Sequence, residues 1–207
     1  MNKLFFSWPQ KNRALPVICA CVGQVIWGFS YLFTRIAQRS ASPTVVLSMR
    51  FLASWVIMTA LIWSGKKSFS LKGKNFRPLL ALALLEPPYY FFESYGVYYS
   101  NATFAGTVMA FAPVVGILAA MLFLGEKPTR RQKIFSLLPT AGVIIITSVG
   151  SSMGIVKPLG AIFLFASQIV AAGMKLYNKK SSEEFSSFER TYAIVVANAI
   201  IFTIKSM

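Results

Sequence analysis

Leu79 to Tyr99 reads LLALALLEPPYYFFESYGVYY. The stretch is almost wholly apolar or aromatic. Its length of about 20 residues, at about 1.5 Å each, matches a helix crossing a hydrocarbon layer of about 30 Å. It also carries Glu86, Glu93 and the pair Pro87 and Pro88, although all six acidic residues of the chain are glutamate and there is no aspartate or histidine. Working outward, similar apolar runs extend over Leu15 to Phe33, Val45 to Trp63, Thr103 to Leu124, Ile134 to Val149 and Leu159 to Leu176. A seventh, Tyr192 to Ile204, covers only roughly 20 Å and is expected to be cut off. Hydrophobic residues make up 56% of the 207 and charged residues 13%, against about a quarter charged in soluble domains. The fold class that follows is all-α, a polytopic transmembrane helix bundle, because helices satisfy their own backbone in lipid.

The formal net charge of +15 invites a nucleic-acid reading, but the positions of the charges argue for a membrane. With the N-terminus placed inside, sixteen of the 21 basic residues fall on the inner side, within 3–13, 66–77, 127–133 and 175–190. Arg35, Arg39, Lys157 and Lys205 fall outside, and Arg50 alone lies within a span. That asymmetry is the positive-inside pattern, so the expected partners are a lipid bilayer and a small-molecule substrate, with no nucleic acid. The first run is too long for a cleaved signal and continues into further spans. A multi-pass protein of the cytoplasmic membrane with a cytoplasmic N-terminus is expected.

Enzyme classes fall away on the same composition. Aspartyl proteases need paired aspartates, zinc proteases need H-E-x-x-H, and most nucleophilic triads need a histidine base. A Ser-Lys dyad lacks a buried lysine, since every lysine falls in a loop or at a span edge. Cys19 and Cys21 point in different directions on one helix and read as small apolar residues. No enzyme, cofactor or metal is expected.

A charge at bilayer depth costs at least about 2.5–3.5 kcal/mol on insertion scales, so Glu86, Glu93 and Arg50 each need an explanation. Arg50 lies roughly 8 Å below the outer edge of the second span, and Glu93 roughly 9 Å below it in the third. They are level and are expected to pair, as an outer gate or as a static bridge. Glu86 is two helical turns from Glu93 and has no base at its depth, which suits a proton-coupling site or a partner for a cationic substrate group. Pro87 and Pro88 remove two backbone donors and are expected to bend or break the helix beside it, where such gaps line protein or a water-filled cavity. In the first span Gln24, Trp27, Ser30 and Tyr31 form a polar and aromatic stripe that either lines a cavity, with Trp27 stacking on substrate, or packs on a neighbour. Tyr90 completes the candidate set. Ala102, Gly106 and Ala110, then Ala112, Gly116 and Ala120, form small-residue ridges suited to close packing within the bundle, a homodimer being the second use open to them. Asn101 begins a glycosylation sequon but reads more simply as a helix cap, and Glu126 as a loop hydrogen bond.

Several motifs carry a family resemblance. Trp27-Gly28-Phe29-Ser30 resembles a Trp-Gly motif of a first span, and Pro43 followed by Arg50-Phe51 a proline-then-arginine pattern of a second. The most specific block, YYSNATFAGTVMAFAPVVGILAAMLFLGEKPTRRQ from Tyr98 to Gln132, then Ala141-Gly142-Val143, includes Pro113, Gly125-Glu126, Thr129 and Gln132. The chain resembles an EamA-type transporter of the drug/metabolite transporter superfamily, over the first repeat and the start of the second. The resemblance implies two inverted five-helix repeats, of which residues 1–150 supply the first and 151–207 about two helices of the next, truncated after about seven of ten spans. It further implies a secondary carrier exporting small metabolites, amino acids or drug-like compounds by alternating access, possible proton coupling falling to Glu86 with help from Trp27, Tyr90 and Gln24. A non-transporting membrane protein, an assembly subunit or a truncated relic, is the alternative.

Overall fold

The structure, a computed structural model, describes residues 14–125, 127–150 and 157–206. Lys3, Lys11 and Arg13 of the first basic segment, and Glu126, lie outside the described residues. Among those described there are helices and no strands: α1 (Ala14–Ala37), α2 (Pro43–Trp63), α3 (Arg77–Tyr99), α4 (Ala102–Met109), α5 (Ala112–Leu124), α6 (Arg130–Gly150), α7 (Pro158–Ser181) and α8 (Ser187–Ser206). This is the all-α membrane bundle expected. Four segments, Val17–Ala37, Pro43–Trp63, Pro158–Ser181 and Ser187–Ser206, are long and apolar enough to cross a membrane. Large apolar side chains stand outward on them, such as Ile57, Ile169 and Ile204, an arrangement suited to lipid and costly in water.

The α2–α3 and α7–α8 loops meet at one end, the basic end. There Lys74 donates to Glu189 at 2.6 Å, Ser70 N–H donates to the same carboxylate at 3.3 Å, and Asn75 N–H donates to Glu184. At the far end Lys157 N–H donates to the Tyr99 carbonyl at 3.1 Å, and Arg35 donates to the Tyr98 carbonyl at 2.9 Å. A cation there satisfies carbonyls that the last turn of α3 leaves open.

α3 is the central element, running along α7 and α8 and touching α1, α2 and α4. Two glycines let α3 and α7 approach. A Cβ at Gly96 would lie 2.6 Å from the Leu164 side chain, and one at Gly160 2.9 Å from the Tyr99 backbone. Around them Val97, Ala105, Val108 and Leu164 form one core. The second core joins α2 to α8 through Leu47, Phe51, Val195, Ala199 and Phe202, with Tyr90 of α3 edge-on to Phe51 at 4.9 Å.

Two expectations are corrected here. The helix that holds the seventh apolar run is longer than the run itself: α8 has 20 residues, starting five before Tyr192, and is long enough to cross a membrane. Ser186 and Glu189 make a reciprocal capping box, Glu189 N–H donating to Ser186 Oγ at 3.3 Å and Ser186 N–H to the Glu189 carboxylate at 2.8 Å. This carries the helix back through a polar first turn that an apolar window misses. Nor do Pro87 and Pro88 break their helix, for α3 continues through both. The break falls in the fourth span, between α4 and α5, just before Pro113. Pro113 has no N–H for the Met109 carbonyl and its ring crowds that turn.

Candidate functional site

Two adjoining cavities lie against α3 and α7. The first, of about 740 Å³, is walled by Gln24, Trp27 and Tyr31 of α1, the Ala102–Gly106–Ala110 ridge, and Gln168 and Lys175 of α7. The second, of about 440 Å³, lies toward the basic end and is walled by Glu86 and Tyr90 of α3, Lys175 and Asn178 of α7, and Arg190 of α8. Trp27, Tyr89, Ala171 and Lys175 border both. The cavities therefore meet at mid-depth.

Local sequence explains why this space is open. Small residues on the α4 side withdraw the wall, and nothing lies within 4 Å of where a Gly106 Cβ would stand. That ridge lines a cavity and does not serve the close packing expected of it. Asn101 caps α4 by accepting the Phe104 N–H at 2.8 Å, as its sequence position implies. Thr129 and Gln132 cap α6 reciprocally, with Thr129 N–H donating to Gln132 at 2.8 Å and Gln132 N–H donating to the Thr129 hydroxyl at 3.2 Å. This gives those two residues a local reason.

Of the candidates, Gln24, Trp27, Glu86 and Tyr90 line the cavities. Glu86 is only 7% exposed, yet its carboxyl borders the second cavity and makes no hydrogen bond among the described residues. Ser30 does not join them, because its hydroxyl donates to the Trp27 carbonyl at 2.6 Å within α1. Pro87 and Pro88 lie in the same stretch of α3, inside the continuous helix.

The expected Arg50–Glu93 pair is not formed. Glu93 Oε1 instead accepts from Tyr31 at 2.8 Å and from Tyr89 at 2.7 Å, one hydroxyl from α1 and one from its own helix. Arg50 is exposed and lies over the Tyr90 ring, 5.6 Å from its centroid. Equal depth placed the two charges on one level, but the directions in which they project from α2 and α3 separate them. Glu93 thereby joins α1 to the bundle, together with Gln38, which donates to Ser94 Oγ at 2.9 Å.

Lys175 is the residue that sequence reasoning missed. It lies inside α7, six residues before the helix ends, with an exposed side chain whose ammonium donates to the Ala112 carbonyl at 3.0 Å. It stands roughly 9 Å in from the end of α7 and Glu86 roughly 14 Å in along α3, within a side chain's reach of one another's level. Glu86 therefore does have a base near its depth. The signal was available: Met174, Leu176 and Tyr177 continue the apolar pattern around Lys175.

The model of the EamA-like transporter family matches residues 14–148. The chain belongs to the EamA-like transporter family. Within it, the chain is similar to the uncharacterized transporter YcxC of Bacillus subtilis, at 30% identity over 195 residues, which is 93% of this chain and 62% of that protein. It is also similar to an uncharacterized transporter of Archaeoglobus fulgidus, at 22% identity over 84% of this chain and 61% of that one. A third relative is the uncharacterized inner membrane transporter YedA of Escherichia coli K12, at 27% identity over 75% of this chain and 50% of that one. The chain thus spans between 50% and 62% of the length of these relatives. No solved structure matches the chain significantly.

Proposed function

We propose that the protein acts as a secondary carrier of the cytoplasmic membrane, moving small amphipathic metabolites such as amino acids or drug-like compounds outward by alternating access. One observation carries this reading: Glu86, a carboxyl without a hydrogen-bond partner among the described residues, opens into a cavity that meets a second, aromatic-walled one at Trp27 and Tyr89. A buried charge facing a cavity inside a membrane bundle marks a substrate or ion path. Residues 1–150 form one five-span repeat in this reading and 151–207 open an inverted second. The basic end faces the cytoplasm in this reading, which the distribution of lysine and arginine supports.

Glu86 exchanges a proton during the cycle, Trp27 stacks on the apolar part of the substrate, and Gln24 and Tyr90 supply hydrogen bonds. The test is uptake and efflux in membrane vesicles under an imposed proton gradient, with a panel of amino acids and cationic dyes and with Glu86→Gln beside the unaltered protein. Transport that follows the gradient and is lost in Glu86→Gln is expected. Transport that Glu86→Gln leaves unchanged would reduce Glu86 to a structural residue and refute proton exchange there.

A further inference from the structure

Gln168, Ala171 and Lys175 stand at i, i+3 and i+7 on α7, one face of a helix, and that face is a wall of the first cavity. Across from it α1 presents Trp27 and Tyr31, stacked with centroids 6.4 Å apart. Among the residues lining this cavity Lys175 is the one charged side chain, and there is no carboxylate. Glu86 borders the neighbouring cavity alone.

Lys175 is held in place by a specific fit. Its ammonium rests on the Ala112 carbonyl in the first turn of α5, where Pro113 has opened the span. The absence of a side chain at Gly116 makes the room, since a Cβ there would stand 2.7 Å from Nζ. At the other end of the same face Gln168 is 3% exposed and gives its Nε2 to Met109 Sδ at 2.7 Å. Its Oε1 is buried without a partner. A buried acceptor with nothing to accept is costly unless something supplies a donor.

We propose that the first cavity binds an amphipathic organic anion, a carboxylate joined to an aromatic or branched apolar body. This rests on the carrier reading above and names its substrate class. Lys175 reads the carboxylate, Trp27 stacks on the body, and Gln168 Oε1 accepts an N–H or O–H from its other end. A cation would meet the Lys175 charge with no counter-charge in the wall of this cavity. One ammonium balances one negative charge, which fits a carboxylate and would leave a doubly charged phosphate partly uncompensated. Arg190, in the wall of the second cavity, adds positive charge along the same path.

The test is equilibrium dialysis of the purified chain in detergent micelles, with empty micelles subtracted, against phenylbutyrate, phenylbutyramide and phenylbutylammonium. Phenylbutyrate is expected to bind at least about tenfold more tightly than the amide, the advantage of a charge-assisted hydrogen bond. Lys175→Gln should bring the two to parity, and Lys175→Arg should keep most of the preference, showing that the variant site still folds. Equal binding of all three by the unaltered chain, or a preference for the ammonium, overturns the anion assignment while the carrier reading stands. If none of the three binds but vesicles show proton-linked transport, this inference alone fails. Absence of both removes the two together.

Discussion

The third and fourth spans invert what their sequences advertise. The third, α3, carries two carboxyls and two adjacent prolines and runs unbroken, whereas the fourth has one proline and no charge and splits into α4 and α5. The difference lies in their neighbours. α3 runs along α7 and α8 on both sides of the prolines, with Leu85 beside Gly173 and Phe91 and Phe92 against Phe163, packing that favours helical backbone where two donors are missing. Pro113 lines a cavity on its α1 side, where the wall is open. A proline's effect in a membrane helix is thus decided by what is packed against it as much as by the lost hydrogen bond.

The strongest way to break the comparison is to remove the grip. Gly160→Val would drive side-chain atoms into the Tyr99 backbone, which cannot yield as a flexible side chain would. Overpacking typically costs about 1–3 kcal/mol and sometimes more. Loss of the monodisperse peak in detergent size exclusion is expected, and a variant as stable as the parent would show that the α3–α7 contact is not what holds α3 straight. Next in size, Glu93→Leu strands the Tyr31 and Tyr89 hydroxyls, each at about 1–3 kcal/mol. A lowered thermal midpoint with selective proteolytic release of α1 is expected, and release of the whole bundle at once would refute the latch.

Pro113→Ala sharpens the contrast directly. Restoring the donor should let α4 and α5 join, so that amides near residues 110–114 gain hydrogen-exchange protection of about tenfold or more. Pro88→Ala should leave the exchange pattern of α3 unaltered, and the reverse outcome would exchange the roles given to the two spans. The smallest effect is expected from Asn101→Ala, which removes the cap of α4 at about 1 kcal/mol. A thermal midpoint unchanged within error would show that the α4 N-terminus is held by packing alone.

Much of this was legible in the sequence for physical reasons. Apolar runs of the right length give spans, because lipid demands them. Gln24, Trp27 and Glu86 line cavities, as polar and aromatic groups at depth suggest. What stayed hidden depends on direction around an axis and on a third helix. Arg50 and Glu93 share a depth but not a facing, and the tyrosine that takes the carboxylate comes from α1. The first turn of α8 was missed because its signal is the Ser186–Glu189 cap and not hydropathy. Lys175 was placed at an edge because its apolar run ends one residue later, at Leu176, although α7 runs on to Ser181.

Glu189 gathers Ser70, Lys74 and Ser186 onto one carboxylate, and the Lys74 contact joins positions 115 residues apart in the chain. During synthesis at about 5–20 residues per second, the segment between α2 and α3 therefore waits roughly 6 to 23 s for its anchor to leave the ribosome. Until then the hairpin of α2 and α3 is tethered at the membrane surface without its fastening, exposed to proteases and quality-control factors. The arrival of α8 closes that interval, joining its first turn to the loop between α2 and α3.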